Sequence, residues 1–249
     1  MFKQFVALSG HARSGSTLLS SVLSQNPEIY AGGSSAVCQL MWDMHQSINN
    51  SEEIKANNLT HLDDMVKNIP HLYYANTDRP IIIDRHRSWT LPSNIDLLKK
   101  YIDKNIKIIV LTRPTIEVVK SIVYLRIQNG WENPEANLFV PESEPIIRPI
   151  AGVNWAKQNY FNEFLFVEYN EFVKNPKQTI DSIYKYCNWQ PYEHNFTNIV
   201  NSSNEDDSQY GLLGLHDIRQ SVKSRALDIE LSDDTIDMCY YLDSLSEFS

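Results

Sequence analysis

The stretch FVALSGHARSGSTLLSSVLS, residues 5–24, opens as a short apolar strand from Phe5 to Leu8 and runs into a loop bounded by Gly10 and Gly15. Leu18, Leu19, Val22 and Leu23 then recur at helical spacing. A strand, a glycine-bearing loop and a helix start together form an arrangement that binds phosphate. Loop N–H groups converge inward, and the helix N-terminus adds the positive end of its dipole. The spacing Gly10-x-x-x-x-Gly15 fits the loop of nucleoside triphosphate enzymes, but Ser16 stands where those carry lysine. Arg13 is the cation inside the loop. A phosphate loop without the lysine that handles a γ-phosphate points to a different phosphorylated donor.

Outward from this stretch, strand and helix patterns alternate. Residues 25–33 read as a loop, with Pro27 and the Gly32-Gly33 pair as breakers. Helices are expected over 36–48 and 62–74, a buried strand over 80–83, and a helix over 93–104 capped by Ser93. A strand over 106–111 and a helix over 115–128 follow. Trp131–Pro149, rich in Pro, Glu and Asn, reads as a long surface excursion of the kind that shapes substrate sites. A helix over 152–163, a strand over 164–168 and helices over 176–186 and 233–245 complete the pattern. Such alternation implies an α/β protein of three layers, α/β/α, around a mainly parallel sheet with a P-loop-like phosphate-binding loop. With no repeat or linker in the sequence, residues 1–249 are expected to form one domain.

Composition narrows the class. Hydrophobic residues make up 42% of the chain, and no apolar run approaches the roughly 18 residues of a membrane helix. Cys38, Cys187 and Cys239 lack metal-ligand spacing and read as free thiols of a reducing, cytoplasmic compartment. The apolar N-terminus leads directly into the phosphate loop, so it reads as strand rather than secretion signal. Net charge is −9, and it is uneven. Residues 1–125 carry 13 Lys+Arg against 11 Asp+Glu, and residues 126–249 carry 9 against 20. A nucleic-acid partner is not expected, because no basic face is apparent, and neither is a membrane. The acidic second half reads as solvated surface.

Ligands of a parallel sheet gather at the carboxyl ends of its strands. The strand at 80–83 ends in Ile83-Asp-Arg-His-Arg-Ser-Trp89, and the strand at 106–111 ends in Leu111-Thr-Arg113-Pro114 before a helix bearing Ser121. These ends and the loop are expected to meet at one pocket. Arg113 offers a fork of N–H donors and Ser121 a hydroxyl, a pair suited to a phosphate dianion. His86 is a candidate general base, since imidazole titrates near neutrality, and it is equally readable as a structural residue. Asp84 is the second candidate base, and Arg85 or Arg87 a source of positive charge. His11, inside the loop, is expected to face solvent.

Ala12-Arg13-Ser14-Gly15-Ser16-Thr17 resembles the 5′-phosphosulfate loop of the sulfotransferases, Pro-Arg/Lys-Ser-Gly-Ser/Thr-Thr, with Ala12 in the proline place. That family also places an Arg at a strand end and a Ser eight residues later on the ribose 3′-phosphate, the spacing of Arg113 and Ser121. Asp84, Arg87 and Trp89 match the Asp-x-x-Arg-x-Trp of bacterial and viral relatives, whereas the Lys-x-His of cytosolic members would put Asp84 in the lysine place. The resemblance implies 3′-phosphoadenosine 5′-phosphosulfate (PAPS) as co-substrate without a metal. Arg13, Ser14, Gly15, Ser16, Thr17, Arg113 and Ser121 would bind it, and Arg13, Asp84, His86 and Arg87 would carry the chemistry. The acceptor, a small molecule, carbohydrate or protein side chain, is left open. The segment Phe166–Trp189 resembles the family's stretch after the fourth strand, and GLHDIRQSV a C-terminal segment of the bacterial branch, with Arg219 as a nucleotide contact. The Arg-Lys-Gly-x-x-Gly motif of cytosolic members is not found. A P-loop-type small-molecule kinase and an inactive nucleotide-binding protein stand as alternatives.

Overall fold

Alternate residues of the first strand feed two different cores. The computed structural model describes residues 2–140, 145–160, 163–224 and 227–245. In β1 (Gln4–Gly10), Val6 and Leu8 pack with α1 (Ser16–Leu23) and α9 (Pro176–Cys187). Phe5 and Ala7 pack on the opposite face with α2 (Val37–Asn50), α5 (Pro92–Tyr101) and α7 (Ile147–Tyr160). The period of two along a strand makes this division, and burial on both faces explains the near-continuous apolar sequence. The remaining strands are β2 (Ile29–Ser34), β3 (Ile81–Arg85), β4 (Lys107–Thr112) and β5 (Leu165–Glu168). All strand pairs are parallel, in the order β2-β3-β1-β4-β5, with Val6 opposite both Ile83 and Lys107. The expected three-layer α/β/α fold is therefore the observed one.

The other helices are α3 (Glu52–Ala56), α4 (Asp63–Tyr73), α6 (Thr115–Gln128), α8 (Tyr169–Lys174) and α10 (Asp233–Ser244). A third apolar cluster joins α6 to α10 through Val119, Ile122, Cys239 and Leu242. There, Asp243 accepts from both the N–H and the hydroxyl of Thr115 at the start of α6.

Several expectations are corrected. Residues 29–34 form a strand where a loop was expected, because Ile29 and Ala31 are buried and pair in register with Ile81 and Ile83. The glycine pair coincides with a register shift between Ala31 and Ser34, so it bends the strand instead of ending it. Pro92 occupies the first turn of α5, which moves Ser93 inside the helix and leaves it no capping role. Helix α7 begins at Ile147, with Pro149 tolerated in its first turn, so the excursion after Trp131 is shorter than expected. Its residues 141–144 lie outside the described residues, as do residues 161–162 of the expected helix end. Short helices α3 and α8 occupy segments without a clear sequence period. Among the described residues, no helix is long and apolar enough to cross a membrane.

Candidate active site

The loop after β1 is held in its shape by backbone geometry. Gly10 has φ +136°, and a Cβ placed there would lie 2.0 Å from the Leu111 carbonyl oxygen of β4. Gly15 has φ +87°, and its Cβ would meet the Tyr169 ring at 2.8 Å. Between them Arg13 takes a left-handed φ of +55°. The Ser14 hydroxyl donates to the His11 carbonyl at 2.6 Å and closes the loop on itself. Gly15 caps α1 without a side chain, so the first-turn N–H groups of Ser16 and Thr17 are left for a ligand.

Two of the three expected strand ends bring arginines to this loop, and a cleft of about 1150 Å³ opens over them. Arg13, Gly15, Ser16, Thr17, Arg85, His86, Arg87, Arg113 and Ser121 all line it. Ser14 is 1% exposed and serves the loop from within. Another cleft, of about 840 Å³, lies at the opposite end of the strands beside Gln4, Lys107 and Asn188, away from every one of these residues.

The sequence pairs Arg113 with Ser121, but the hydrogen bonding is different. Arg13 Nε donates to Ser121 Oγ at 3.0 Å, and Arg13 Nη1 donates to the Leu215 carbonyl. Arg113 braces the loop by donating to the Arg13 carbonyl at 2.8 Å and to Glu117 at 3.0 Å, with its guanidinium 4.2 Å above the Tyr169 ring. Burial, then the like charge of Arg113, pushes the Arg13 guanidinium below its usual range. The buried Arg113 and the half-buried Arg13 together make a strong anion site.

β3 ends in Asp84 and Arg85, and the strand alternation sends them to opposite faces. Asp84 joins the Ile82 side and is fully buried. It accepts from Trp89 Nε1 at 2.6 Å, Tyr74 at 2.7 Å and Ser35 at 2.5 Å. Burial raises its pKa despite these three bonds. Asp84 therefore does not reach the cleft, which removes the geometry its expected role as base requires. Arg85 points to the α1 side. Its Nη1 donates to Thr17 Oγ1 at 2.7 Å, its Nη2 pairs with Glu205, and its Nε is buried with no hydrogen-bond partner among the described residues. Arg87 is exposed at the cleft, and its carbonyl accepts from Ser9 Oγ at 2.7 Å.

His86 lies at the cleft wall, with Nδ1 accepting from the Ser88 backbone N–H at 3.2 Å. That bond assigns the ring proton of the neutral form to Nε2. Nδ1 is thereby engaged by the backbone.

His11 is buried instead of solvent-facing. Its Nδ1 donates to the Arg113 carbonyl at 2.9 Å, and its Nε2 is buried with no hydrogen-bond partner among the described residues. Burial lowers its pKa from 6.5 to about 4. The unfolded chain then takes up a proton between those values while the folded chain does not. The stability this neutral ring confers is complete above pH 6.5 and is lost as pH falls toward 4, by about 3 kcal/mol in all. His11→Leu should flatten this part of the stability–pH curve in urea titrations, and an unchanged slope would contradict it.

Three residues that the sequence reading missed stand together here, and one of them, His216, lines the cleft. Glu205 accepts from the Ser34 N–H at 3.0 Å and from Tyr210 at 3.1 Å while pairing with Arg85. His216 and Asp207 stand beside it, at 2.6 Å from each other. Arg219 also lines the cleft, with Nη1 donating to the Ser224 carbonyl at 3.4 Å.

A profile of the sulfotransferase family matches residues 6–194, which contain the loop and all five strands apart from the first two residues of β1. No curated protein matches by sequence. Among solved structures, the sulfotransferase domain from the Synechococcus PCC 7002 olefin synthase is similar at TM-score 0.59 and 18% identity, over 97% of this chain and 95% of that one. The sulfotransferase domain from the curacin biosynthetic pathway gives 0.54 and 16%, over 98% of both chains. A sulfotransferase from Alicyclobacillus acidocaldarius gives 0.55 and 12%, over 98% and 92%. At such identities the likeness carries the fold, and the profile carries the family. With its phosphate loop, parallel sheet and profile match in agreement, the chain belongs to the sulfotransferase family.

Proposed function

We propose that the chain is a PAPS-dependent sulfotransferase that moves a sulfuryl group to an acceptor hydroxyl or amine. One observation carries this reading. The lysine-free phosphate loop, two buried arginines and Ser121 converge on one cleft in a member of this family. Membership of the family disfavours the kinase alternative, which the missing lysine already opposed.

In this reading the loop N–H groups and the first turn of α1 hold the 5′-phosphosulfate. Ser121, with Arg113 and Arg13, takes the 3′-phosphate, whose two charges offset the two guanidiniums. Arg85, donating to Thr17 next to the loop, supplies the positive charge that the loop lysine gives elsewhere. Such preorganised donors act on charge that develops on the bridging oxygen during transfer. His86 stands at the same wall, and Arg87 supplies a cation at the mouth.

Adenosine 3′,5′-bisphosphate is expected to raise the melting temperature well beyond the effect of AMP or ADP, because only its 3′-phosphate meets Arg113 and Ser121. A charged hydrogen bond is worth roughly 1.5–3 kcal/mol, so Arg113→Ala should weaken bisphosphate binding about 10- to 100-fold. AMP affinity should change far less. Equal stabilisation by AMP and the bisphosphate would refute this assignment.

A further inference from the structure

Asp207, His216 and Glu205 form a half-buried trio of titratable groups beside the phosphate loop. His216 Nδ1 lies 2.6 Å from Asp207 Oδ1, and the His216 backbone N–H also bonds Asp207, at 3.0 Å. A carboxylate only accepts, so Nδ1 carries a proton, and in the neutral ring the lone pair is on Nε2. Nε2 lies 3.5 Å from Glu205 Oε1. A proton arriving on Nε2 would place the imidazolium between two carboxylates. The side chains of His216, Asp207 and Glu205 are 14%, 12% and 10% exposed, so the pairing is shielded from solvent.

The position matches the chemistry. Glu205 is bonded to Arg85, and Arg85 to Thr17, directly beyond the phosphate loop. Leu215, the residue before His216, accepts from Arg13 of the loop itself. His216 also lines the cleft. Its environment thus differs from that of His86, whose Nδ1 accepts a bond and whose Nε2 holds the proton.

We propose that His216 is the general base of the transfer, with Asp207 as its positioning residue and Glu205 stabilising the imidazolium. This rests on the sulfotransferase reading above. In the step, the acceptor O–H bond breaks and its proton passes to His216 Nε2. The acceptor oxygen forms a bond to sulfur, and the S–O bond to the 5′-phosphate breaks. Its electron pair leaves on adenosine 3′,5′-bisphosphate. A base–orienter pair of this geometry is the general form of nucleophile activation.

The test has two arms. Nitrogen-detected NMR of the whole chain at alkaline pH should show His216 as the Nδ1–H tautomer and His86 as the Nε2–H tautomer, and a His216 proton on Nε2 would overturn the proposal. In the second arm, release of adenosine 3′,5′-bisphosphate from PAPS is followed with water, an aliphatic alcohol or p-nitrophenol as acceptor. His216→Ala should slow transfer to water or alcohol by about 10²- to 10⁴-fold, with bisphosphate affinity within about twofold of wild type. The loss with p-nitrophenol, whose hydroxyl ionises without help, should stay below about tenfold. Asp207→Asn should reproduce the pattern more weakly, and it serves if His216→Ala does not fold. Equal losses with all acceptors, or near-normal rates in both variants, would overturn the proposal. Failure of the wild type to bind the bisphosphate would instead remove the donor reading, and the tautomer arm is independent of that outcome.

Discussion

Gly10→Ala is expected to be the most damaging single-methyl change in the site. At φ +136° the added Cβ would lie 2.0 Å from the Leu111 oxygen and 2.7 Å from the Leu111 nitrogen, both backbone atoms of the neighbouring strand. Neither atom can withdraw without breaking the pairing of Gly10 with Leu111 at the end of β1. Strain and clash together should cost more than about 4 kcal/mol, a size reserved for such mechanisms. For a chain of this length that lowers the melting temperature by roughly 8–16 °C. Gly130→Ala is the control, since its φ of +76° is also left-handed but nothing lies within 4 Å of the added Cβ. It should cost about 1–2 kcal/mol. Equal melting temperatures for the two variants would contradict the packing described for the loop.

Arg85→Ala comes next. Arg85 and Glu205 are 6% and 10% exposed at their side chains, so removing one partner leaves a buried charge behind. The expected loss is about 3–5 kcal/mol in urea unfolding. Removing both should cost less than the sum of the single changes, because neither charge is then stranded. A double-mutant cycle reads that coupling, and additive losses would show that the pair does not interact energetically. The segment around residue 205 is tied to the sheet through this pair and through Ser34, so proteolysis within 203–216 should accelerate in Arg85→Ala.

The sequence exposed the parts of this protein that depend on local chemistry. The phosphate loop was legible because a glycine spacing, a strand period and a helix period meet within twenty residues. The helix from Thr115 to Gln128 was equally plain, ending where its Asn-Gly signal lies. β2 was hidden because two glycines suggest a break, whereas pairing with β3 decides the conformation. The cluster at 84–89 revealed polarity but not direction. Adjacent residues of a strand face opposite ways, and only the packed sheet shows that Asp84 faces a core and Arg85 the cleft. Glu205, Asp207 and His216 were missed for another reason. They sit in a loop-rich acidic stretch that reads as solvated surface, yet Arg85, Ser34 and the 3-10 turn at Asp207–Tyr210 draw them inward. The available signal for His216 was its place in GLHDIRQSV, and no periodicity accompanies it.

The most direct test of the central claim follows the transferred group itself. The protein is incubated with PAPS labelled in its sulfuryl group, and separately with ATP labelled in its γ-phosphate. Each mixture contains water, a phenol, a sugar and a peptide as acceptors. The account predicts that label leaves PAPS over more than one turnover per protein molecule, with matching formation of adenosine 3′,5′-bisphosphate, while ATP keeps its γ-phosphate. Label retained on PAPS together with loss of the γ-phosphate from ATP would contradict it.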